Sequence, residues 1–428
     1  MTTKLLIALL SVMSVAQVFA ANWPGFRNDG HGISPERNVP LKWSKTENVH
    51  WRAALPDRGN ASPVVWGDRI FITQAVGAKR NVMAFDRNNG KLLWEQGTTY
   101  GEKDDTHESN PHASATPATD GERVIACFGS AGVHAFEVNG EKLWARDLGK
   151  QSHQWGYGSS PIIHGDLCIL YFGPGPRSFL AALDKKTGKT VWQFDAPEVH
   201  PPERFDGFGG KSDGIMGSWS TPLLVKTPQR DEVVMTFANE MRSFDPKTGK
   251  ELWKVDGLNP LLYTSPLAGD GYVVGLGGYF GGSVAVKMGG VGDLSNQKVW
   301  LVKREKRHRL SSGVIKDKHI YISNTIGVAE CLELAAGKQL WEERLKATGA
   351  NGETWGSMVL AGDRLYVINQ SGETFVLRAT PEKFEQLAVN PLGERCNTTP
   401  AISNGEIFIR TDQALWCVSE KNSERAAR

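Results

Sequence analysis

Apolar residues in this chain fall into short runs broken at regular intervals by Gly, Asn and Asp. Ser62-Pro63-Val64-Val65-Trp66 is followed by Gly67-Asp68 and then by Arg69-Ile70-Phe71-Ile72-Thr73. Next comes Ala84-Phe85-Asp86-Arg87-Asn88-Asn89-Gly90-Lys91-Leu92-Leu93-Trp94. Short β-branched and aromatic runs bounded by turn residues predict strands rather than helices. Within the second phrase an apolar strand ends at Asp, whose carboxylate accepts backbone N–H bonds in the turn. Gly closes the turn at positive φ, and a second strand carries Trp. Four strands in sequence predict a four-stranded antiparallel meander.

The meander recurs. Ala182-Leu183-Asp184-Lys185-Lys186-Thr187-Gly188-Lys189-Thr190-Val191-Trp192 and Ser243-Phe244-Asp245-Pro246-Lys247-Thr248-Gly249-Lys250-Glu251-Leu252-Trp253 repeat the hairpin phrase. Shorter or weaker copies end at Trp144, Trp300 and Trp341. Each copy opens on a Ser/Thr-Pro step: Ser62, Thr116, Ser160, Thr221, Ser265 and Thr399 precede proline, while Ser312 and Ser357 hold the same place without it. Eight openings at a period of roughly 40–50 residues indicate repeated supersecondary units. The last copy stops at Ala414-Leu415-Trp416-Cys417-Val418, one strand short, and Asn48–Ala53 supplies a candidate for the missing outer strand. The expected fold is all-β: an eight-bladed β-propeller of four-stranded antiparallel blades, its ring closed by an N-terminal strand. Seven blades is the alternative if the degenerate copy near 286–300 is not a blade.

Residues 1–20 read as a signal peptide. Lys4 precedes an apolar stretch too short to span a bilayer, and Val18-Phe19-Ala20 places cleavage after Ala20. The expected location is periplasmic or secreted. No cysteine stands directly after the cleavage point, so no lipid anchor is expected, and no later run is long enough for a transmembrane segment. An irregular segment, 21–48, is expected to lie across the propeller surface. A single propeller at 49–418 and a polar tail at 419–428 complete the organisation. A net charge of +2 gives no bulk attraction to nucleic acid. The five cysteines (127, 168, 331, 396 and 417) match no metal motif and read as structural.

The repeated Ala-x-Asp-x-x-Thr-Gly-Lys-x-x-Trp phrase, with its Ser-Pro strands, resembles the pyrroloquinoline-quinone-type propeller repeat over nearly the whole chain. The resemblance implies that Trp94, Trp144, Trp192, Trp253, Trp300 and Trp341 pack between blades. It also implies one of several roles. The family includes quinoprotein dehydrogenases, a propeller lipoprotein of the outer-membrane barrel-assembly machinery, and exported repeat proteins of unknown role. Asn22-Trp23-Pro24-Gly25-Phe26-Arg27 and Ser109-Asn110-Pro111-His112 look most like the last group. The adjacent Cys-Cys pair frequent in the dehydrogenases is missing.

Propeller topology brings the residues just before each opening to one channel mouth. Read in order these are Asn60; Asn110 and His112; Trp155 and Tyr157; Trp219; Tyr263; Arg307 and Arg309; Trp355; and Arg395 and Asn397. Such aromatic and hydrogen-bonding residues suit a ligand pocket; they equally suit a channel plug or blade packing. Lys303–Arg309 is the densest basic run and favours an anionic partner, or is a solvated loop. The insertion 196–218 carries Asp206 and Asp213, without a calcium-loop pattern. Gly277–Gly282 reads as a tight hairpin and not as a phosphate loop. No catalytic residue and no metal site is assigned.

The composition supports two readings. One is a non-catalytic binding or assembly platform, monomeric, whose partner is a protein segment or a cell-envelope polymer. The other is a quinone-dependent dehydrogenase oxidising an alcohol or sugar. Pyrroloquinoline quinone with Ca²⁺ is expected only under the second reading: the quinone on Trp219, Arg309 against its carboxylates, an Asp as base.

Overall fold

The computed structural model describes residues 21–151, 153–175, 177–198, 217–278, 281–303 and 308–420. The signal segment, most of the 196–218 insertion with Asp206 and Asp213, Tyr279, Phe280, residues 304–307 with Arg307, and the end of the tail lie outside the described residues.

Eight antiparallel sheets form the ring. Blade 1 runs outward through Val64–Trp66, Arg69–Val76, Lys79–Asp86 and Leu92–Thr99. Blades 2 to 7 occupy 118–146, 162–195, 223–256, 267–302, 314–344 and 359–391. Blade 8 takes three strands from the C-terminus, Ala401–Ser403, Glu406–Arg410 and Ala414–Val418. Its outer strand is Val49–Ala54, paired antiparallel with Ala414–Val418. Closure joins chain ends that are far apart in sequence, so no sheet edge is left at the ring's seam. The degenerate copy is a true blade: Ser283–Lys287 pairs with Trp300–Val302, and the count is eight.

The repeat phrase is explained by contacts between blades. A bulge follows the turn in six blades, and a like shift of register stands on the closing strand of blade 8, each beside the Trp position. Trp Nε1 then donates to a backbone carbonyl of the next blade. Trp94 reaches Val138 (3.0 Å), Trp144 reaches Lys185 (3.0 Å), Trp192 reaches Pro246 (2.8 Å), Trp300 reaches Leu334 (2.8 Å), and Trp341 reaches Thr380 (3.0 Å). Trp51, on the closing strand, does the same to Arg87 (2.7 Å) across the seam. These indoles cover the turn glycines. A Cβ on Gly90, Gly140, Gly188, Gly249 or Gly337 would stand 2.5–2.8 Å from the preceding blade's Trp. Trp253 packs between blades 4 and 5 as expected, but its indole N–H has a different partner. It is fully buried and donates to Glu232 of its own blade (2.7 Å). Blade 5 there replaces the tight turn with a longer excursion whose Gly292–Asp293 adds a parallel strand to Trp253–Lys254.

Apolar packing is divided among the gaps between sheets; Val64 and Phe71 of blade 1, for example, share a cluster with Val124 and Phe136 of blade 2. All five cysteines are buried and unpaired.

At the inner edge the eight opening residues form a closed hydrogen-bonded ring. Ser62 N–H donates to the Thr116 hydroxyl (2.9 Å), Thr116 to Ser160 (3.0 Å), Ser160 to Thr221 (3.0 Å) and Thr221 to Ser265 (3.0 Å). Ser265 continues to Ser312 (2.9 Å), Ser312 to Ser357 (3.0 Å), Ser357 to Thr399 (2.9 Å), and Thr399 returns to Ser62 (3.1 Å). Each hydroxyl satisfies a buried N–H that has no sheet partner.

The N-terminal segment crosses the opposite end of the ring, as a surface segment was expected to. Trp23 exchanges backbone hydrogen bonds with Val65, and Thr119 donates to Pro24. Ile33–Ser34 adds a parallel strand to blade 7. Its depth was not expected. Trp23 and Arg27 are fully buried, and the Arg27 guanidinium, pushed down to about 9 by burial, is held by the carbonyls of Gly30, His31 and Gly313.

Candidate functional site

Extended backbone leads into each inner strand, so successive side chains alternate between the channel and the blade interior. The residue two places before every opening therefore faces the channel. Those residues are Asn60, Ser114, Gly158 and Trp219 on blades 1 to 4, and Tyr263, Leu310, Trp355 and Asn397 on blades 5 to 8. All eight line one cavity of about 730 Å³ at the channel mouth. Six of the ring hydroxyls lie beneath them (Ser62, Thr221, Ser265, Ser312, Ser357 and Thr399), and Phe26 of the N-terminal segment lines the same cavity from the closed end. The longer loops before blades 2 and 3 add His107, Ser109, Asn110 and Trp155.

One side of the mouth is an aromatic shelf. Trp219 and Tyr263 stack at 4.9 Å and 14°, and Trp155 leans on both at 5.7 and 6.3 Å. The shelf is fixed from behind. Trp219 Nε1 donates to Gly156 O (2.9 Å), while Asn110 Nδ2 donates to the carbonyls of Trp155 (2.6 Å) and Tyr157 (3.2 Å). His153 meets Trp219 edge-on at 4.8 Å, and its Nδ1 accepts the Trp155 N–H. Burial lowers His153 to about 4, so it is neutral behind the shelf. Across the mouth, Trp355 Nε1 is tied to Glu353 (3.0 Å). Asn397 presents a buried Oδ1 that receives no hydrogen bond from the protein.

The structure brings together Asn60, Asn110, Trp155, Trp219, Tyr263, Trp355 and Asn397 of the residues expected at the mouth. Tyr157, three places before its opening, has the wrong parity: its hydroxyl donates to Tyr171 O within the packing of blade 3. Arg309 also stands three places before its opening. It is buried in an ion pair with Glu330 (2.6 Å) and does not line the cavity; Leu310 takes the channel position instead. His112 is half-buried away from the cavity wall, lowered by burial and then by the nearby Arg80 charge. Arg395 pairs with Asp412 (3.5 Å) outside the wall. Arg307 lies outside the described residues. Sequence reasoning missed Phe26, His107, Ser109, Ser114, Gly158, Leu310 and the hydroxyl ring. Counting by two from each opening would have found Ser114, Gly158, Leu310 and the ring, but not Phe26, His107 or Ser109.

Among the described residues, no Asp, Glu, Lys or Arg lines the cavity. A quinone bearing three carboxylates needs cations to offset its charge, and a bound Ca²⁺ needs carboxylate oxygens. The described lining does not fit that pair, and no step through it is derived. Elsewhere, His50, Glu406 and Cys417 have ligand atoms within 4.8 Å of one another, but the Arg87 guanidinium already sits 2.8 Å from Glu406. No helix among the described residues is long and apolar enough to cross a membrane.

Fold and repeat define an eight-bladed propeller of the pyrroloquinoline-quinone type, with one cavity at its channel mouth. The chain belongs to the family described as outer membrane protein assembly factor BamB, which it matches over residues 37–173 and 176–427. Its curated relatives include tetrathionate hydrolase of Acidithiobacillus ferrooxidans, 28% identical over 175 residues, covering 40% of this chain and 30% of that protein. Polyvinylalcohol dehydrogenase of a Pseudomonas species is 24% identical over 236 residues, covering 48% and 35%. The matched stretches thus span about a third of these relatives. Among solved structures, BamB from Moraxella catarrhalis superposes with a TM-score of 0.60 at 15% identity, covering 86% of this chain and 96% of that one. A europium-containing methanol dehydrogenase gives 0.67 at 12% identity, covering 92% and 90%. At these identities the structural likeness speaks for the fold alone.

Proposed function

We propose that the protein is an exported, non-catalytic binding propeller of the cell envelope, which holds its partner over the channel mouth. The observation that carries this reading is the chemistry of the cavity. Its described lining is mostly aromatic, hydroxyl and amide, with the single imidazole of His107 and without a carboxylate, Lys or Arg to hold Ca²⁺ or to pair with an anionic cofactor. Every ring member is fixed by a neighbouring blade, so the surface is preorganised for recognition. Membership of the BamB family agrees with an assembly or binding role, with a protein segment or envelope polymer as partner.

Quinone-dependent alcohol or sugar oxidation is the second reading. It is favoured by the aromatic shelf at the mouth and by the dehydrogenase relatives. A thermal-shift titration with pyrroloquinoline quinone, with and without Ca²⁺, separates the two. A ligand that binds only the folded state raises stability with the logarithm of its concentration over Kd. No shift is expected; a saturable, Ca²⁺-dependent rise would overturn the binding reading.

A further inference from the structure

We infer that the mouth cavity receives a neutral saccharide, an inference that rests on the binding reading above and names its ligand class. Three observations carry it.

The first is the absence of carboxylate, ammonium and guanidinium groups from the described wall, whose one imidazole is His107. An anion or cation entering the cavity would lose its hydration without a carboxylate, Lys or Arg partner there, which is costly. The ligand is therefore uncharged.

The second is the pairing of donors with an acceptor. Each ring hydroxyl accepts a backbone N–H from the preceding blade. None of the six on the cavity wall gives its own proton to a protein atom among the described residues. They are O–H donors available to oxygens of a ligand. Asn397, only 9% exposed, offers the complementary feature: a buried amide oxygen with no protein donor. A ligand that both accepts several hydrogen bonds and donates at least one satisfies the two sets together, as a polyhydroxylated ring does. A flat nucleobase or indole would use the shelf but leave most of the ring hydroxyls unserved.

The third is the shelf itself. Trp219 and Tyr263 stack with nearly parallel rings and are only half-buried, so their outer faces and edges, with Trp155 beside them, form the shelf. A pyranose has one apolar C–H face and a hydroxyl rim. Its face matches the shelf, while its rim reaches Asn60, Asn397 and the ring. The cavity volume of about 730 Å³ lies within the range of roughly 300–1,000 Å³ usual for small-ligand sites.

The test is a titration followed by tryptophan fluorescence and calorimetry, using maltohexaose, cellohexaose and xylohexaose as neutral probes. Adenosine, polygalacturonate and pyrroloquinoline quinone with Ca²⁺ form the comparison arms. We expect saturable binding by at least one neutral hexasaccharide. Trp219→Ala should weaken it by about tenfold and Asn397→Leu by about fivefold, the scale of one lost stacking or hydrogen-bonding contact. Trp219→Phe keeps an aromatic face and should restore most of the loss, which separates stacking from misfolding; circular dichroism checks each variant. The inference is overturned if no neutral hexasaccharide binds, or if binding is unchanged in both Trp219→Ala and Asn397→Leu. Binding of adenosine alone would overturn the saccharide assignment, binding of polygalacturonate alone would overturn the neutral one, and either would leave the binding reading standing. A Ca²⁺-dependent response to the quinone would overturn both.

Discussion

Replacing Gly188 by Ala tests the reasoning about the repeat phrase, because blade 3 contains its own control. Gly188 and Gly165 both have positive φ, +71° and +58°. They differ in what a Cβ would meet. At Gly165 nothing lies within 4 Å, whereas at Gly188 the Trp144 ring lies at 2.6 Å. Gly165→Ala should therefore cost only the left-handed backbone term, about 1–2 kcal/mol. Gly188→Ala carries the same term and also forces the indole away. Overpacking of this kind costs about 1–3 kcal/mol. Shifting the ring also endangers the Trp144 Nε1 bond to Lys185 O, worth about 1 kcal/mol. The two variants should therefore differ by about 2–4 kcal/mol, the sum of these two added terms. Urea unfolding followed by far-UV circular dichroism measures the difference as a displaced midpoint at constant slope. In a Trp144→Ala background the cost of Gly188→Ala should fall to that of Gly165→Ala, since the coupling has been removed. Equal costs for the two glycine variants in the wild-type background would refute the claim that the turn glycine is a docking surface for the neighbouring blade's tryptophan.

Three further outcomes follow from the same contacts. Ser312→Ala removes the acceptor of the Ser265 N–H and should cost about 1–3 kcal/mol in a thermal melt, while Ser312→Thr keeps the hydroxyl and most of the stability. Arg309→Leu strands Glu330, which is fully buried, and should cost about 3–5 kcal/mol; the double variant with Glu330→Leu should lose less than that, and an unchanged melt of the single variant would return Arg309 to the list of ligand-facing groups. Burial holds His153 at about 4 in the folded state, below the unfolded value of about 6.5. The unfolded chain thus takes up the proton first, so stability should decline as pH falls from about 6.5 toward 4. His153→Phe should flatten that decline, read by urea midpoints across the window.

Much of the architecture was legible in the chain. The spacing of the Ser/Thr openings and Trp-bearing hairpins set the blade count, and the missing last strand pointed to Val49–Ala54 as the closing element. These features are local or periodic, so one repeat reports on all the others. The mouth was legible in outline for the same reason: topology alone carries the residues before each opening to the channel. Parity went unread. A shift of one residue turns a side chain from the channel to the interior of the blade, which is why Tyr157 and Arg309 were misplaced while Trp219 and Trp355 were not.

By itself the sequence determined the propeller, its closure and the convergence of eight loops, because strand periodicity and turn chemistry act between neighbours along the chain. Only the tertiary structure decided three other features. It joined the opening hydroxyls into a ring, paired Arg309 with Glu330, and carried Phe26 and Arg27 across the closed end of the channel. Those contacts link residues tens to hundreds of positions apart. Their partners are chosen by the curvature and stacking of the whole ring, which no single repeat encodes.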